Sequence, residues 1–245
     1  MRSLVATLVL PAPHGQATAQ AHDAAAAKTP AGGGSPVTHA AAAPTPQSSS
    51  SSGSKSSSTP QSGGLPVTID QLRKIMTTLP AAKANLYITP LNQAMVEFHI
   101  TTRLRKAAFL GQVAHESGEL KWFHEFASGM EYDISRNPKK AKELGNVNPG
   151  DGPRYKGRGP IQLTGRNNYI KCGKALGLDL VDHPDIGVEP NVAFRTAGWF
   201  WETNGLNPLA DEGNYKLITR RINGGYNGLA DRIKYYDRAL AVFPG

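Results

Sequence analysis

Apolar and polar positions divide this chain near residue 64. Beyond that point apolar residues recur at helical spacing, and the strict alternation that marks a half-buried strand is scarce. Thr68 ahead of Leu72, Ile75 and Met76 predicts a first helix with Thr68 as N-cap and Pro80 closing it. Residues 82–87 fit no single pattern. Thr89-Pro90-Leu91-Asn92 reads as the next start, with proline at the first helical position and a stripe of Leu91, Met95 and Phe98. Residues 102–116 form the clearest helix, rich in small residues and stopped by Gly118. Further helices are predicted over 167–176, 192–203, 209–221 and 230–242, the third with Asp211 and Glu212 in its first turn, where the helix dipole favours acids. Residues 126–156 lack sustained periodicity and read as a long surface excursion. Residues 158–163 read as short and extended, and Asn223-Gly224-Gly225 as a turn. The expected fold class is mainly α with minimal sheet, in one domain over residues 65–245.

Composition separates the remainder. Residues 1–64 are almost all Ala, Ser, Pro, Gly, Thr and Gln, with a nearly unbroken serine run at 48–58. So little apolar mass cannot offset the entropy of ordering, so this segment is expected to be disordered and to act as a flexible tether. Its first ten residues resemble a secretory signal, with Arg2 before a short apolar run and Ala17-Thr18-Ala19 as a small-residue cleavage site. Pro11 and Pro13 follow that run at once, so export by this segment stays open. No stretch approaches a membrane span, and stable membrane insertion is not expected.

The 245 residues carry a formal charge of +8. Three cations against one acid put +2 on the first 64, leaving +6 for the domain. Such a balance draws a protein toward polyanions such as a bacterial wall. No Lys/Arg run interleaved with aromatics occurs, which argues against nucleic acid. Cys172 is the single cysteine; it permits no internal disulfide and its apolar neighbours mark it as a buried hydrophobe. No Cys/His cluster suggests a metal.

The chemistry concentrates in two segments. Ala114-His115-Glu116-Ser117-Gly118-Glu119-Leu120 sets a carboxylate at the end of an apolar helix, where burial would favour its protonated form. The His115-Glu116 pair does not extend to a zinc motif, because Glu119 stands where HExxH would need a second histidine. Tyr155-Lys156-Gly157-Arg158-Gly159-Pro160-Ile161-Gln162-Leu163-Thr164 follows, with glycines that allow close approach to a ligand and with Gln162 and Thr164 on one face if the segment is a strand. Glycosidic hydrolysis with inversion needs an acid and a base carboxylate about 6.5–9.5 Å apart. The candidates are Glu116, Glu119, Glu125 and Glu131. On one unbroken helix Glu116 and Glu125 would lie about 180° and about 13 Å apart. They can pair only if the helix breaks at Ser117-Gly118. Trp122, Trp199 and Trp201 could stack on sugars, although the apolar setting of the last two predicts core packing for at least one.

Taken in order, His115-Glu116-Ser117, the stretch 157–164, Ile222-Asn223-Gly224-Gly225 and Asp231-Arg232-Ile233 resemble the family 19 glycoside hydrolases, which include chitinases and phage endolysins. The similarity spans residues 104–240. It implies a two-lobed, lysozyme-like helical fold with a central cleft and an inverting mechanism that uses no cofactor. Glu116 matches the general acid. Glu125 matches the base of the endolysin-like branch, with Glu131 as its rival. Thr164 matches the residue that holds the attacking water. Gln162, Asn168, Asn223, Arg232 and Tyr155 match positions that bind sugar or support the acid. Gly145-Asn146-Val147-Asn148-Pro149-Gly150-Asp151-Gly152 looks like the bacterial and phage branch, which shifts the implied substrate from chitin toward peptidoglycan. The implied protein is a monomer acting on the cell wall after secretion or lysis. A chitinase and a non-catalytic wall-binding module are the alternatives.

Overall fold

Within residues 66–244, which the computed structural model describes, the chain is carried by α-helices, and pairing between extended segments is limited to the bridges His124–Arg158 and Arg158–Leu163. The mainly helical expectation holds. The expected disorder and signal-like start fall on residues 1–64, outside the described residues.

Helix α1 (Ile69–Ile75) opens on a reciprocal cap: the Thr68 side chain accepts from the Gln71 amide while the Gln71 side chain accepts from the Thr68 amide. Helix α2 (Ala81–Glu97) starts straight after Pro80 and runs through Pro90. Thr89-Pro90 is therefore not a start. The proline forfeits one backbone bond, and the buried stripe Tyr87, Leu91, Ala94 and Met95 keeps the helix intact. Asn92 on its inner face exchanges two hydrogen bonds with the Val67 backbone, at 2.9 and 2.8 Å, and fastens the start of the domain.

Helix α3 (Arg103–Ser117) is capped by Thr102 and packs along α10 (Leu229–Val242). Together with α1, α2, α7 (Pro190–Thr203), α8 (Leu206–Asp211) and α9 (Tyr215–Asn223) they form the larger helical body. Its interior holds Phe109, Phe194 and both Trp199 and Trp201, so neither tryptophan is free to meet a sugar. Cys172 is buried as expected, and burial pushes its thiol up from the ordinary range.

A second group comprises α4 (Pro138–Leu144), α5 (Asp151–Arg154), the 3₁₀ turn Met130–Tyr132 and α6 (Arg166–Leu176), which meets the larger body at α7. Residues 126–156 are thus not a loose surface excursion. Tyr132, Asp133, Ala141, Leu144 and Asn146 are buried there. Their order comes from polar contacts that leave no hydrophobic period: Asp133 accepts from the Gly150 and Gly152 amides and from Ser135, and the Asn146 side chain donates to the Tyr132 carbonyl. One further expectation fails. The predicted helix over 209–221 is two, α8 and α9, because Asn214 leaves helical geometry and caps α9 through the Leu217 amide.

Candidate active site

The site begins where α3 ends. Gly118 adopts a left-handed conformation, and Glu119 and Leu120 follow it at φ 60° and 61°. Left-handed backbone costs a non-glycine residue about 1–2 kcal/mol, so the turn needs fastening. Ser117 supplies one clasp, donating to the Val113 carbonyl and accepting from the Leu120 amide at 2.8 Å. Glu119 supplies another. Its buried carboxylate accepts from the amide and hydroxyl of Thr78, both at 2.5 Å, beyond the end of α1. The helix therefore breaks where pairing of Glu116 with Glu125 requires it.

Glu116 stays on the last turn of α3 with its side chain almost wholly buried. Its Oε1 accepts from the Arg232 guanidinium at 2.5 Å, while Oε2 makes no hydrogen bond among the described residues. Arg232 is itself fully buried, and it also donates to Gln112 Oε1 and to the Asn227 carbonyl. Gln112 in turn donates to Thr219 at 2.8 Å. Beside this pair runs a second one: His115 Nδ1 lies 2.7 Å from Asp231. Two adjacent residues of α3 thus grip two adjacent residues of α10. The far nitrogen of His115, Nε2, is buried without a partner among the described residues, and Gly228 lies so close to the ring that a Cβ there would collide with it.

Beyond the left-handed turn, inward Phe123 and Glu125 alternate with exposed Trp122, His124 and Phe126. The Glu125 amide donates to the Gly157 carbonyl, and the Gly159 amide to the Phe123 carbonyl. This pairing delivers Glu125 into the second helical group. Its Oε1 accepts from the Tyr132 hydroxyl and its Oε2 from the Gly157 amide, both at 2.9 Å. Burial, and then the negative charge of Glu125, raise the Tyr132 phenol far above its ordinary range, so it remains a donor. The rival Glu131 is exposed on the turn beside the same tyrosine.

The glycine-rich segment is not the extended strand expected for residues 158–163. Arg158 and Leu163 pair with each other, and the chain reverses between them through Gly159 and a left-handed Gln162, φ 58°. Gln162 and Thr164 therefore do not share a strand face. The Gln162 amide nitrogen donates to the Gly159 carbonyl, and its oxygen lies over Gly157, where an added Cβ would come within 2.6 Å of it. Gly157 is needed for that approach. Thr164 is fully buried and gives its proton to the Gln162 carbonyl at 2.8 Å, so its hydroxyl is left only as an acceptor. Asn168 donates to the Thr164 carbonyl and supports the turn. Asn223 is half-buried at the end of α9, with no side-chain hydrogen bond among the described residues. Tyr155 is placed differently from expectation. Its ring packs on Tyr169 in the core and its hydroxyl reaches the Val181 carbonyl, so it cannot touch a sugar.

Sequence reasoning missed Gln112, Tyr132 and the His115–Asp231 pair. Gln112 lies four positions before Glu116, a spacing that shares a helix face. Tyr132 left no signal, since it reaches Glu125 only through an irregular turn. Among the described residues no group of His, Cys, Asp and Glu has the arrangement of a metal site.

The family described as chitinase class I matches residues 94–212. A glycosyl hydrolase family 19 domain-containing protein of Haemophilus influenzae is 34% identical over 165 residues, covering 57% of this chain and 80% of that protein. An endochitinase of Arabidopsis thaliana is 40% identical over 149 residues, covering 57% of this chain and 49% of the relative. The chain thus spans four fifths of the first and about half of the second. The crystal structure of a class IV family 19 chitinase from Zea mays superposes with a TM-score of 0.57 at 25% identity, covering 74% of this chain and 95% of that one.

Proposed function

Because the chain belongs to glycoside hydrolase family 19 and is a glycoside hydrolase, we propose that it cleaves β-1,4 bonds between amino sugars of bacterial peptidoglycan with inversion. The observation that carries the mechanism is the left-handed exit from α3. It leaves Glu116 with Arg232 on the larger helical body and returns Glu125 on a separate segment, held by Tyr132 and Gly157. Glu116 is the acid: Oε1 is anchored and Oε2 delivers a proton to the leaving oxygen. Glu125 is the base. Each of its oxygens takes one hydrogen bond from the protein and keeps a lone pair for water. Thr164, its own proton committed to Gln162, accepts the other hydrogen of that water. Asn223 and the Gln162 turn bind sugar, and Arg232 and Asn168 support the acid and the turn. The protein acts as a monomer on the wall, reached by secretion or at lysis.

The domain's charge of +6 supports peptidoglycan over chitin, because chitin is neutral and walls carry acid groups. The chitinase reading is favoured instead by the names of the plant relatives. Release of reducing ends from purified peptidoglycan, set against purified chitin, separates the two, and mass spectrometry of the digest identifies the sugar at the new end. General acid catalysis contributes about 10²–10⁴-fold. Glu116→Gln is therefore expected to lose at least about a hundredfold in turnover while still binding substrate. Full lysis of walls by that variant would sink the mechanism.

A further inference from the structure

The excess charge is not spread over the domain. Residues 131–175 contain ten Lys and Arg against four Asp and Glu, while the rest of residues 65–245 balances, with fourteen cations and fourteen acids. The excess thus falls on the stretch that holds α4, α5 and α6, where Arg154 and Arg158 are paired with Asp182 and Asp185 from beyond it and the lysines of α4 and α6 are not. Two of its four acids face inward: Asp133 and Asp151 are buried and take up the amides of Gly150 and Gly152, and of Val147 and Asn148. Several of its cations face out. Arg136, Lys139 and Lys142 on or just before α4, and Lys171 and Lys174 on α6, are exposed, and their side chains make no ion pair or hydrogen bond among the described residues. Elsewhere some long cations are engaged, Arg105 with Asp211, Arg195 with Glu97 and Arg238 with the Ile75 carbonyl, and exposed ones such as Lys74, Lys216 and Arg220 stand in a part of the domain where acids equal cations in number.

The two basic helices adjoin. Gly145 at the end of α4 lies against the Asn167 side chain in the first turn of α6, and Asn146 links the Tyr132 carbonyl to the Arg166 amide. The charge also borders the site. Lys140 of α4 lies 4.7 Å from the centre of the Tyr132 ring, whose hydroxyl holds Glu125. Lys140 thus ties the basic face of α4 to the tyrosine that holds Glu125. Uncharged chitin has nothing to offer that face.

We propose that the exposed face of α4 and α6 is a docking surface for the carboxylates that peptidoglycan strands carry, and that it selects the anionic wall glycan over neutral chitin. The inference rests on the muralytic reading and locates its specificity outside the catalytic groups. Attraction of this kind is screened within about 8 Å at physiological ionic strength, so it is lost in high salt.

The test uses the full chain. In a Glu116→Gln background, binding to purified sacculi is measured at low and high salt, with and without K139E/K142E/K171E/K174E. The expected result is salt-sensitive binding that the four reversals weaken at least about tenfold. In the active background the same reversals leave hydrolysis of a neutral chitin hexasaccharide unchanged. Unaltered sacculus binding after reversal overturns the proposal, as does an equal loss on chitin. Tighter retention on duplex DNA than on sacculi also overturns it and gives the face to nucleic acid. Failure of the muralytic reading looks different: the wild-type chain releases no reducing ends from sacculi, yet still binds them through the lysines.

Discussion

At the scale of single residues, the buried Glu116–Arg232 contact carries the greatest consequence. Removing one member of a buried ion pair leaves the other charge uncompensated, at about 3–5 kcal/mol. Arg232→Met is therefore expected to lower thermal stability by that amount and to abolish turnover. Arg232→Lys is expected to recover part of the stability and little of the activity, because one ammonium cannot reach Glu116, Gln112 and the Asn227 carbonyl together. Thermal melts and kcat on both variants check this. Asp133 offers a pH test. Hydrogen bonds from Ser135, then from Gly152 and Gly150, hold its carboxyl down at about 2. A depressed folded value means that the unfolded chain takes up the proton first as pH falls. Its stabilisation is full above the unfolded value near 4 and is lost as pH drops toward 2. Wild type and Asp133→Asn are expected to differ in melting temperature at pH 6 and to converge between pH 4 and 2.

Among the helices, the crossing of α3 and α10 sets the geometry of the Glu116–Arg232 contact, and Gly111 sets the crossing. Glycine inside a helix costs about 0.5–1 kcal/mol relative to alanine. Here a Cβ would stand 2.6 Å from the Tyr215 hydroxyl and 3.1 Å from the Tyr236 amide, so the glycine is what admits α10. Gly111→Ala is expected to gain helix propensity and still lose about 1–3 kcal/mol by overpacking. Because Arg232 rides on α10, kcat is expected to fall more than KM changes. Helices with an apolar stripe and a local stop were legible: α3 with Thr102 and Gly118, α6 with Gly177, and α10. The elements that stayed illegible are held by long-range polar contacts. Asp133 reaching Gly150, Tyr132 reaching Glu125 and the left-handed Gln162 leave no period in the sequence. The place of Glu116 at the end of α3 was legible because that helix is regular, whereas Tyr155 had the right neighbours in sequence and the wrong direction in space.

For the whole molecule, the hydrophobic interior formed by the described residues runs from Val67 to Phe243. A fragment of residues 65–245 is accordingly expected to melt at the temperature of the full chain and to hydrolyse soluble oligosaccharides at the same rate. Calorimetry and reducing-end assays on the two proteins decide it; a fragment that aggregates or loses turnover would assign residues 1–64 a part in the fold.

The grip of α3 on α10 also has a meaning in time. Glu116 and Arg232 are separated by 116 positions of chain, and α10 leaves the ribosome after every other element the site uses. Contacts so distant in sequence form late. A growing chain can fold α3 and even bury its apolar stripe, but it has no guanidinium to place against the acid. Under the proposed mechanism a chain that has not yet added α10 cannot cut, and that helix is the arming step of synthesis.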